Sequence, residues 1–258
     1  MQKVLSDRRG PIAVLTLNNP QQYNALDAVI MAELATALDA AIEDATVRCI
    51  LLTGAGKGFC SGAQFGGDAF DMGEGIGPFM RATINPIIEK IRLSPIPVVI
   101  AVNGPAAGAG VGVALAGDVV IAARSARFVL SFVRLGAALD GGTSQFLQRS
   151  IGAARARALA LLGEPLTAEK AEQWGLIWKC VDDEHLDSEA LAIAKKLADG
   201  PPIAMGLIKS EMEFGWSSDL ELTLETEASA QTRAFVTGDL REGAAAFVEK
   251  RMPRFVGR

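Results

Sequence analysis

The sequence is poor in the residues that build several common kinds of catalytic or metal site. Its 258 residues include three cysteines and one histidine, and 30 acidic side chains outnumber 25 basic ones, for a net charge of −5. Cys49, Cys60 and Cys180 are odd in number and lack C-x-x-C spacing, so we predict neither a disulfide framework nor a metal site. His185 follows an acidic stretch typical of a solvated loop, which disfavours a catalytic histidine.

The chain also lacks the features of nucleic-acid-binding, membrane and nucleotide-binding proteins. The acidic balance provides no basic face for phosphates. The most apolar region, Ile96 to Ala123, is broken by prolines and glycines, and residues 1–9 are too charged for a signal peptide. Val113 stands where a dinucleotide-binding G-x-G-x-x-G motif needs glycine, and no phosphate-loop Gly-Lys-Ser/Thr is present. We therefore expect a cytoplasmic protein with no nucleic-acid or membrane partner.

Apolar residues make up half of the chain, and their pattern alternates between strands and helices. Short apolar runs predict strands at Val4-Leu5, Ile12–Leu17, Cys49–Thr53, Pro97–Val102, Val119–Ala123, Phe128–Leu130 and Leu176–Val181. Helical spacing predicts helices at 27–45, at 107–116, at 168–174, in a segment ending near Leu93, and after Thr143. We predict an α/β fold with a core over residues 1–200 and, after Pro201-Pro202, a segment of three helices over 201–258.

Two turns rich in small residues follow buried strands. The first is Gly58–Phe65, and the second is Asn103–Gly110. Small residues let a ligand approach the backbone, so that main-chain N–H groups can act as donors. Two such turns are what a backbone oxyanion hole requires.

In this order, the two turns resemble the paired fingerprints of the crotonase (enoyl-CoA hydratase/isomerase) superfamily. The resemblance runs along nearly the whole chain and includes Asn24-Ala25-Leu26, Leu135-Gly136, Ala168 to Ile177, and Glu242 to Phe255. It implies a crotonase-like spiral of ββα units acting on an acyl-CoA thioester. It also implies a trimer, or a dimer of trimers, with the C-terminal helices in the subunit contacts. CoA is part of the substrate, so no separate cofactor is expected.

The resemblance also assigns individual site residues. The oxyanion donors fall on the backbone N–H groups of Ala63 and Ala109, where the second position is usually glycine in the family. Gln64 replaces a frequent aspartate, and Lys250 matches a lysine that often meets CoA phosphates, although it also fits a solvated basic tail. The residues predicted to bind substrate or CoA are Ala25, Leu26, Ser61, Ala63, Gln64, Phe65, Gly108, Phe132, Leu139 and Lys250.

Acidic residues distinguish the reactions of this superfamily. Enoyl-CoA hydratases use two glutamates, and the matching positions here are Gly112 and Phe132, neither of which transfers a proton. Asp140 matches the single carboxylate of Δ3,Δ2-enoyl-CoA isomerases, 1,2-epoxyphenylacetyl-CoA isomerases and aryl-CoA dehalogenases. From the residues alone, Asp140 also fits a helix N-cap before Thr143.

Apolar neighbours in the sequence predict a raised pKa for the Asp140 carboxyl. Phe132, Ala137, Ala138 and Leu139 would provide a low-dielectric setting that disfavours the charged form. A carboxyl with a raised pKa is a stronger base than an exposed aspartate, whose pKa is near 3.9.

The leading hypothesis is an acyl-CoA isomerase in which Asp140 moves a proton between C2 and C4 of an enoyl-CoA, or opens an epoxyphenylacetyl-CoA ring. Enoyl-CoA hydratase is the alternative, disfavoured by Gly112 and Phe132. A dehalogenase would need a histidine that His185 does not provide. A non-catalytic acyl-CoA binder and an RNA binder are further alternatives. The segment from Gly66 to Met80 is predicted to line the acyl pocket.

Overall fold

Two β-sheets form the framework of the fold in the computed structural model, which describes residues 2–64 and 73–258. The strands are β1 (Val4–Arg9), β2 (Ile12–Leu17), β3 (Cys49–Gly54), β4 (Val98–Val102), β5 (Ala106–Ala107), β6 (Val119–Ala123), β7 (Arg127–Val129), β8 (Leu166–Thr167) and β9 (Lys179–Val181). The larger sheet has the order β1-β2-β3-β4-β6-β9. In it, β1 is antiparallel to β2 and the other neighbours are parallel. The smaller sheet has the order β5-β7-β8.

Helices provide the crossovers that parallel strands need. They are α1 (Ala28–Glu43), α2 (Ile76–Ala82), α3 (Ile84–Leu93), α4 (Ala109–Leu115), α5 (Thr143–Leu162, kinked at Gly152), α6 (Ala168–Trp174), α7 (Leu186–Ala198), α8 (Pro202–Gly215), α9 (Leu220–Phe235) and α10 (Gly238–Glu249). The predicted alternation of strands and helices is confirmed.

The central strands of the larger sheet are buried on both faces, which explains their continuous apolar runs, whereas the edge strand β1 is exposed after Val4. Leu52 and Ile100 point into the core formed with α1, α3 and α4. Leu51 and Val99, one residue earlier, point into a second core closed by the alanine-rich face of α7. Because β3 and β4 are parallel neighbours, their carboxyl ends meet at one edge, and the two small-residue turns leave the sheet there.

Side-chain caps and a glycine set several helix ends where the sequence predicts them. Asp27 caps α1 by accepting a hydrogen bond from the Ile30 N–H (2.8 Å). Thr167 caps α6 through the Lys170 N–H (3.2 Å), and Gly175 ends that helix with a φ of 78°.

Two predicted elements differ from the structure. The helix predicted to end near Leu93 is two helices, α2 and α3, separated at Thr83 (φ −124°, ψ −79°). Pro86 lies in the first turn of α3, where its missing N–H removes no helical hydrogen bond, so a new helix begins just before it. The strand predicted over Leu176–Val181 is only β9, because the Leu176 N–H bonds to the Ala171 carbonyl (2.8 Å) and closes the end of α6.

The three helices predicted after Pro201 are α8, α9 and α10. Lys209 on α8 donates to the carbonyls of Ile91 (2.9 Å) and Ile96 (3.3 Å) and pairs with Asp118 (2.7 Å). Burial raises the pKa of Asp118 and lowers that of Lys209. This partly buried pair ties α8 to the sheet, since Asp118 also accepts from the Val98 N–H (2.7 Å). The division into 1–200 and 201–258 stays a prediction. In the described part of the chain, no helix is both long and apolar enough to cross a membrane.

Candidate active site

The two small-residue turns contact each other beside the carboxyl ends of β3 and β4. Cys60 and Ala106 form a parallel bridge, and the Ala107 N–H donates to the Cys60 carbonyl (2.9 Å). Gly62 has a φ of +87°, and a Cβ there would lie 2.6 Å from the Ala107 carbonyl oxygen and 3.3 Å from the Ala109 nitrogen. Glycine is therefore required at position 62 for the turns to meet.

Two asparagine side chains hold the first turn in place. Asn24 is fully buried, and its Nδ2 lies within hydrogen-bonding distance of the carbonyls of Ala55 (3.0 Å), Gly58 (2.8 Å) and Phe59 (3.1 Å). Asn103, at the start of the second turn, accepts from the Gly54 N–H (3.1 Å) and donates to the Gly58 carbonyl (3.2 Å). Sequence analysis placed both residues in motifs but missed this positioning role. The sequence marks these two asparagines only by the motifs that contain them: Asn24 begins Asn24-Ala25-Leu26, and Asn103 begins the second turn.

The backbone N–H groups of Ala63 and Ala109 are free to bind a ligand oxygen. Ala109 is the first residue of α4, so its N–H has no acceptor within the helix. Over residues 2–64 and 73–258, no hydrogen bond is formed by either amide. The neighbouring Gly108 N–H is already used, because it donates to the Val129 carbonyl (3.0 Å). A Cβ on Gly62 would lie 3.3 Å from the Ala109 nitrogen, so the segments that carry the two free donors adjoin, as the predicted oxyanion hole requires.

Residues predicted to bind the CoA arm lie beside this hole. Ala25 and Leu26 are buried, and the backbone of Leu26 is already bonded to the turn, through the Gly62 carbonyl (2.8 Å) and the Gln64 N–H (3.1 Å). Leu26 therefore supports the turn, and its N–H is not free for CoA. Ser61 donates to a main-chain carbonyl (3.1 Å), and Gln64 is exposed. Phe65 and residues 66–72 of the predicted acyl-pocket segment lie outside the described residues.

Phe132 lies beside Gly108 of the second turn. Phe132 is buried, and a Cβ on Gly108 would lie 3.9 Å from its ring and 3.8 Å from the hydroxyl oxygen of Ser131. Leu139 is half-buried and packs against the core. Sequence analysis missed Ser131, whose hydroxyl is a further polar group at the second turn.

The carboxyl of Asp140 is half-buried and has no hydrogen-bond partner among the residues that the structure describes. Its Oδ1 is buried without a hydrogen bond. Burial alone raises the pKa of Asp140 to about 6, as the sequence predicts. The alternative interpretation as a helix N-cap is wrong: Gly142 occupies the cap position of α5, and Asp140 contributes only its main-chain carbonyl, which accepts from the Thr143 N–H (3.0 Å).

The source of this burial differs in part from the prediction. Ala137 and Ala138 are exposed and do not enclose the carboxyl, because they lie in a loop on the surface after the turn at Ser131–Leu135. The burial comes from the packing of the Asp140 loop on α4, where a Cβ on Gly141 would lie 3.6 Å from the Ala109 carbonyl oxygen. Asp140 and the predicted oxyanion donor Ala109 are thereby brought to the same end of α4.

Two other predicted positions lie outside this cluster. Lys250 ends α10 in a left-handed conformation (φ 55°), and its side chain forms no hydrogen bond or ion pair within the described residues. Its role towards CoA stays a prediction. His185 is exposed in the short helical turn Asp183–His185, which confirms that it lies on a solvated surface.

Comparison with known proteins agrees with the geometry. A family model described as "Enoyl-CoA hydratase/isomerase" matches residues 7–258. The 1,2-epoxyphenylacetyl-CoA isomerase of Escherichia coli (strain K12) is 43% identical over 100% of both chains. A Rhodobacter capsulatus protein named "Probable enoyl-CoA hydratase" is 43% identical over 96% of this chain and 95% of its own. The crystal structure of enoyl-CoA hydratase from Bacillus anthracis matches with a TM-score of 0.93 at 34% identity, covering 100% of both chains.

These names include both an isomerase and hydratases, so the reaction has to be argued from the site. The fold and the family are nevertheless common to all of them. The chain belongs to the enoyl-CoA hydratase/isomerase family, that is, to the crotonase superfamily, and has its α/β fold with a helical C-terminal region.

Proposed function

We propose that the protein is an acyl-CoA thioester isomerase that uses one carboxylate, Asp140, and two backbone donors, Ala63 and Ala109. The observation that carries the proposal is the half-buried carboxyl of Asp140, whose Oδ1 is buried without a hydrogen bond among the described residues. The resemblance supports it, because it matches Gly112 and Phe132 to the positions of the hydratase glutamates. Hydration of a double bond needs a second acid–base group to activate water. Moving a double bond needs only one.

The proposed reaction converts a 3-enoyl-CoA into the conjugated 2-enoyl-CoA. The Asp140 carboxylate takes a proton from C2, and the electron pair of that C–H bond moves to form an enolate on the thioester oxygen. The N–H groups of Ala63 and Ala109 stabilise this oxyanion, and losing one such donor costs about 10²–10³ in rate. Collapse of the enolate shifts the double bond from C3–C4 to C2–C3, and Asp140 returns the proton to C4. No atom is gained or lost.

The raised pKa suits Asp140 to both halves of this cycle. A carboxyl with an ordinary pKa is too weak a base for a thioester α-proton, whereas one with a pKa of about 6 accepts and releases a proton near neutral pH. The same enolate chemistry fits the opening of an epoxyphenylacetyl-CoA ring. That substrate is named in the description of the Escherichia coli relative. We propose it as the alternative substrate class.

The test compares conjugation and hydration by wild type and Asp140→Asn. We expect wild type to convert a 3-enoyl-CoA to the conjugated thioester, followed by ultraviolet absorbance, and to hydrate 2-enoyl-CoA far more slowly. Asp140→Asn should lose about 10²–10⁴ in conjugation rate, the range for loss of a general acid–base group. Fast hydration unaffected by the substitution would contradict the proposal. Turnover of an epoxyphenylacetyl-CoA without turnover of 3-enoyl-CoA would identify the alternative substrate.

We also propose that the C-terminal segment binds further copies of this chain, as the resemblance implies. Phe247, Val248 and Met252 are 86%, 80% and 85% exposed in the isolated chain, and Val236 is 72% exposed. Several large apolar side chains this exposed in one segment are typical of a surface that binds another chain. Sedimentation velocity should give a trimer or hexamer for wild type and smaller species for Phe247→Glu. Glu164→Gln, an exposed loop substitution, serves as control. A monomeric wild type would contradict the proposal.

A further inference from the structure

The loop that carries Asp140 lies directly on helix α4, where Gly112 contacts Gly141. A Cβ on Gly112 would lie 2.4 Å from the carbonyl oxygen of Gly141 and 2.9 Å from its Cα, and both partners are backbone atoms. From the other side, a Cβ on Gly141 would lie 3.4 Å from the Gly112 Cα, and Gly141 has a φ of +56°. The backbone of Gly112 therefore packs directly on the backbone of Gly141. Any side chain at position 112 requires α4 or the Asp140 loop to move.

Few other contacts fix the position of the Asp140 carboxyl. Oδ1 has no hydrogen bond within the described residues, and the main-chain carbonyl accepts from the N–H (3.0 Å) and hydroxyl (2.7 Å) of Thr143. The loop is thus held by Thr143 at its carboxyl end and by the contact with Gly112 beneath it. Because no side-chain hydrogen bond anchors the carboxyl, its position follows the backbone of the loop.

The contact between Gly112 and Gly141 also limits which acidic side chains fit in the site. Residue 112 lies in the fully buried helix α4, and the space that a side chain there would fill is taken by Gly141. A carboxylate on residue 112 and the Asp140 loop in its present position would therefore occupy the same volume. The two arrangements exclude each other sterically.

We propose that Gly112 is a positioning and specificity-determining residue: by carrying no side chain, it seats the Asp140 loop on α4 and limits the site to chemistry with one carboxylate. The proposal rests on the proposed function, which assigns proton transfer to Asp140. A methyl group at position 112 would lie 2.4 Å from the Gly141 carbonyl oxygen. The loop and the helix must therefore move apart by about 1 Å to reach an ordinary contact near 3.4 Å. A misplacement of about 1 Å in a catalytic site costs about 10²-fold in rate.

The experiment compares Gly112→Ala with two control variants. Gly110→Ala crowds the same helix equally, with a Cβ 2.4 Å from the Cys60 carbonyl oxygen, but on the side of the first turn. Gly215→Ala, at the exposed end of α8, places its Cβ in ordinary contact, 3.6 Å from Cγ2 of Thr223. Each protein is assayed for kcat, KM and the pH dependence of conjugation. The pKa of Asp140 is measured directly by carbon-13 NMR of labelled aspartate, with Asp140→Asn as the assignment standard.

For Gly112→Ala we expect kcat to fall about 10²-fold, KM to change less than threefold, and the pKa of Asp140 to fall as the displaced carboxyl meets water. Gly110→Ala should slow the reaction without moving the pKa of Asp140, and Gly215→Ala should change neither kcat nor that pKa. Unchanged kcat and pKa in Gly112→Ala would overturn the proposal. So would an equal pKa change in Gly110→Ala, since it would show a general loosening of α4.

A second substitution, Gly112→Glu, tests the exclusion of a second acid. We expect it to lose isomerisation without gaining hydration, and hydration at the wild-type isomerisation rate would refute the steric argument. If Gly112→Ala does not fold, Gly141→Ala perturbs the same contact from the loop, and the same fall in kcat and pKa is expected. An inactive wild type would overturn the proposed function alone, because the NMR comparison still tests the seating of the loop.

Discussion

The enclosed carboxyl of Asp140 should make the protein less stable than it would be with a neutral side chain at that position. Its pKa is about 6 in the folded chain against an ordinary 3.8, with burial as the only cause. Each pKa unit corresponds to 1.36 kcal/mol, so the ionised group destabilises the fold by about 3 kcal/mol at most. Asparagine has nearly the same shape and carries no charge. Asp140→Asn should therefore raise the free energy of unfolding at pH 8 by about 1–3 kcal/mol, the lower value allowing for partial exposure of the group.

The pH dependence fixes the sign of this effect. Between pH 3.8 and about 6 the folded chain holds a proton on Asp140 that the unfolded chain has released, so stability falls as the pH rises through this window. Above this pH window the ionised Asp140 carboxyl destabilises the fold by its full amount. Below the window the carboxyl is protonated in both the folded and the unfolded chain, and the destabilisation vanishes. The advantage of Asp140→Asn should accordingly be largest at pH 8 and shrink towards zero near pH 4.

Urea unfolding at pH 8 and pH 4, at equal protein concentrations because any oligomer makes stability concentration-dependent, measures this difference. The control is Glu164→Gln, an exposed carboxylate without an ion pair among the described residues, which should change the free energy of unfolding by less than about 0.5 kcal/mol. Equal or lower stability of Asp140→Asn at pH 8 would refute the argument that burial, uncompensated by any partner, sets the pKa.

Three further predictions concern the pH profile and the supports of the site. kcat/KM for conjugation should fall as the pH drops through about 6, because Asp140 must be ionised to take the proton. If a stopped-flow pH series shows that kcat/KM falls only near pH 4, Asp140 is not the base. Lys209→Met should lower the free energy of unfolding by about 1–3 kcal/mol in urea, since it leaves the partly buried carboxylate of Asp118 without its cation, and adding Asp118→Asn should restore part of the loss. Asn24→Ala should lower the free energy of unfolding by about 1–3 kcal/mol and also lower kcat, because the carbonyls of the first turn lose their shared donor. An unchanged kcat would contradict the positioning role of Asn24.

The framework of the fold follows from local signals in the sequence. Apolar runs such as Val98–Val102 locate buried strands, and the caps at Asp27 and Thr167 and the stop at Gly175 act over a few residues. These interactions join residues that are close in the sequence, so they can be predicted without the tertiary structure. The break at Thr83 was missed because the signal, Pro86, lies inside the next helix and is compatible with its first turn.

The candidate site depends on contacts between distant segments, and these are harder to predict. The two turns predict backbone donors, and the resemblance assigns them to Ala63 and Ala109, but their proximity depends on the packing of Gly62 on the second turn. The raised pKa of Asp140 was expected from its apolar neighbours in the sequence, yet Ala137 is exposed and the burial comes from α4. Contacts of this kind, between backbones that meet only after folding, leave no pattern in the local sequence.

The central claim, that one enclosed carboxylate moves a proton from C2 to C4, is tested most directly by an isotope. A 3-enoyl-CoA carrying deuterium at both C2 positions is converted in ordinary water, and the product is analysed for deuterium at C4 by NMR and mass spectrometry. Because the Asp140 carboxyl is shut off from water on its Oδ1 side, part of the deuterium should reach C4 in a single turnover. A product with only hydrogen from water at C4 would contradict the single-carboxylate account.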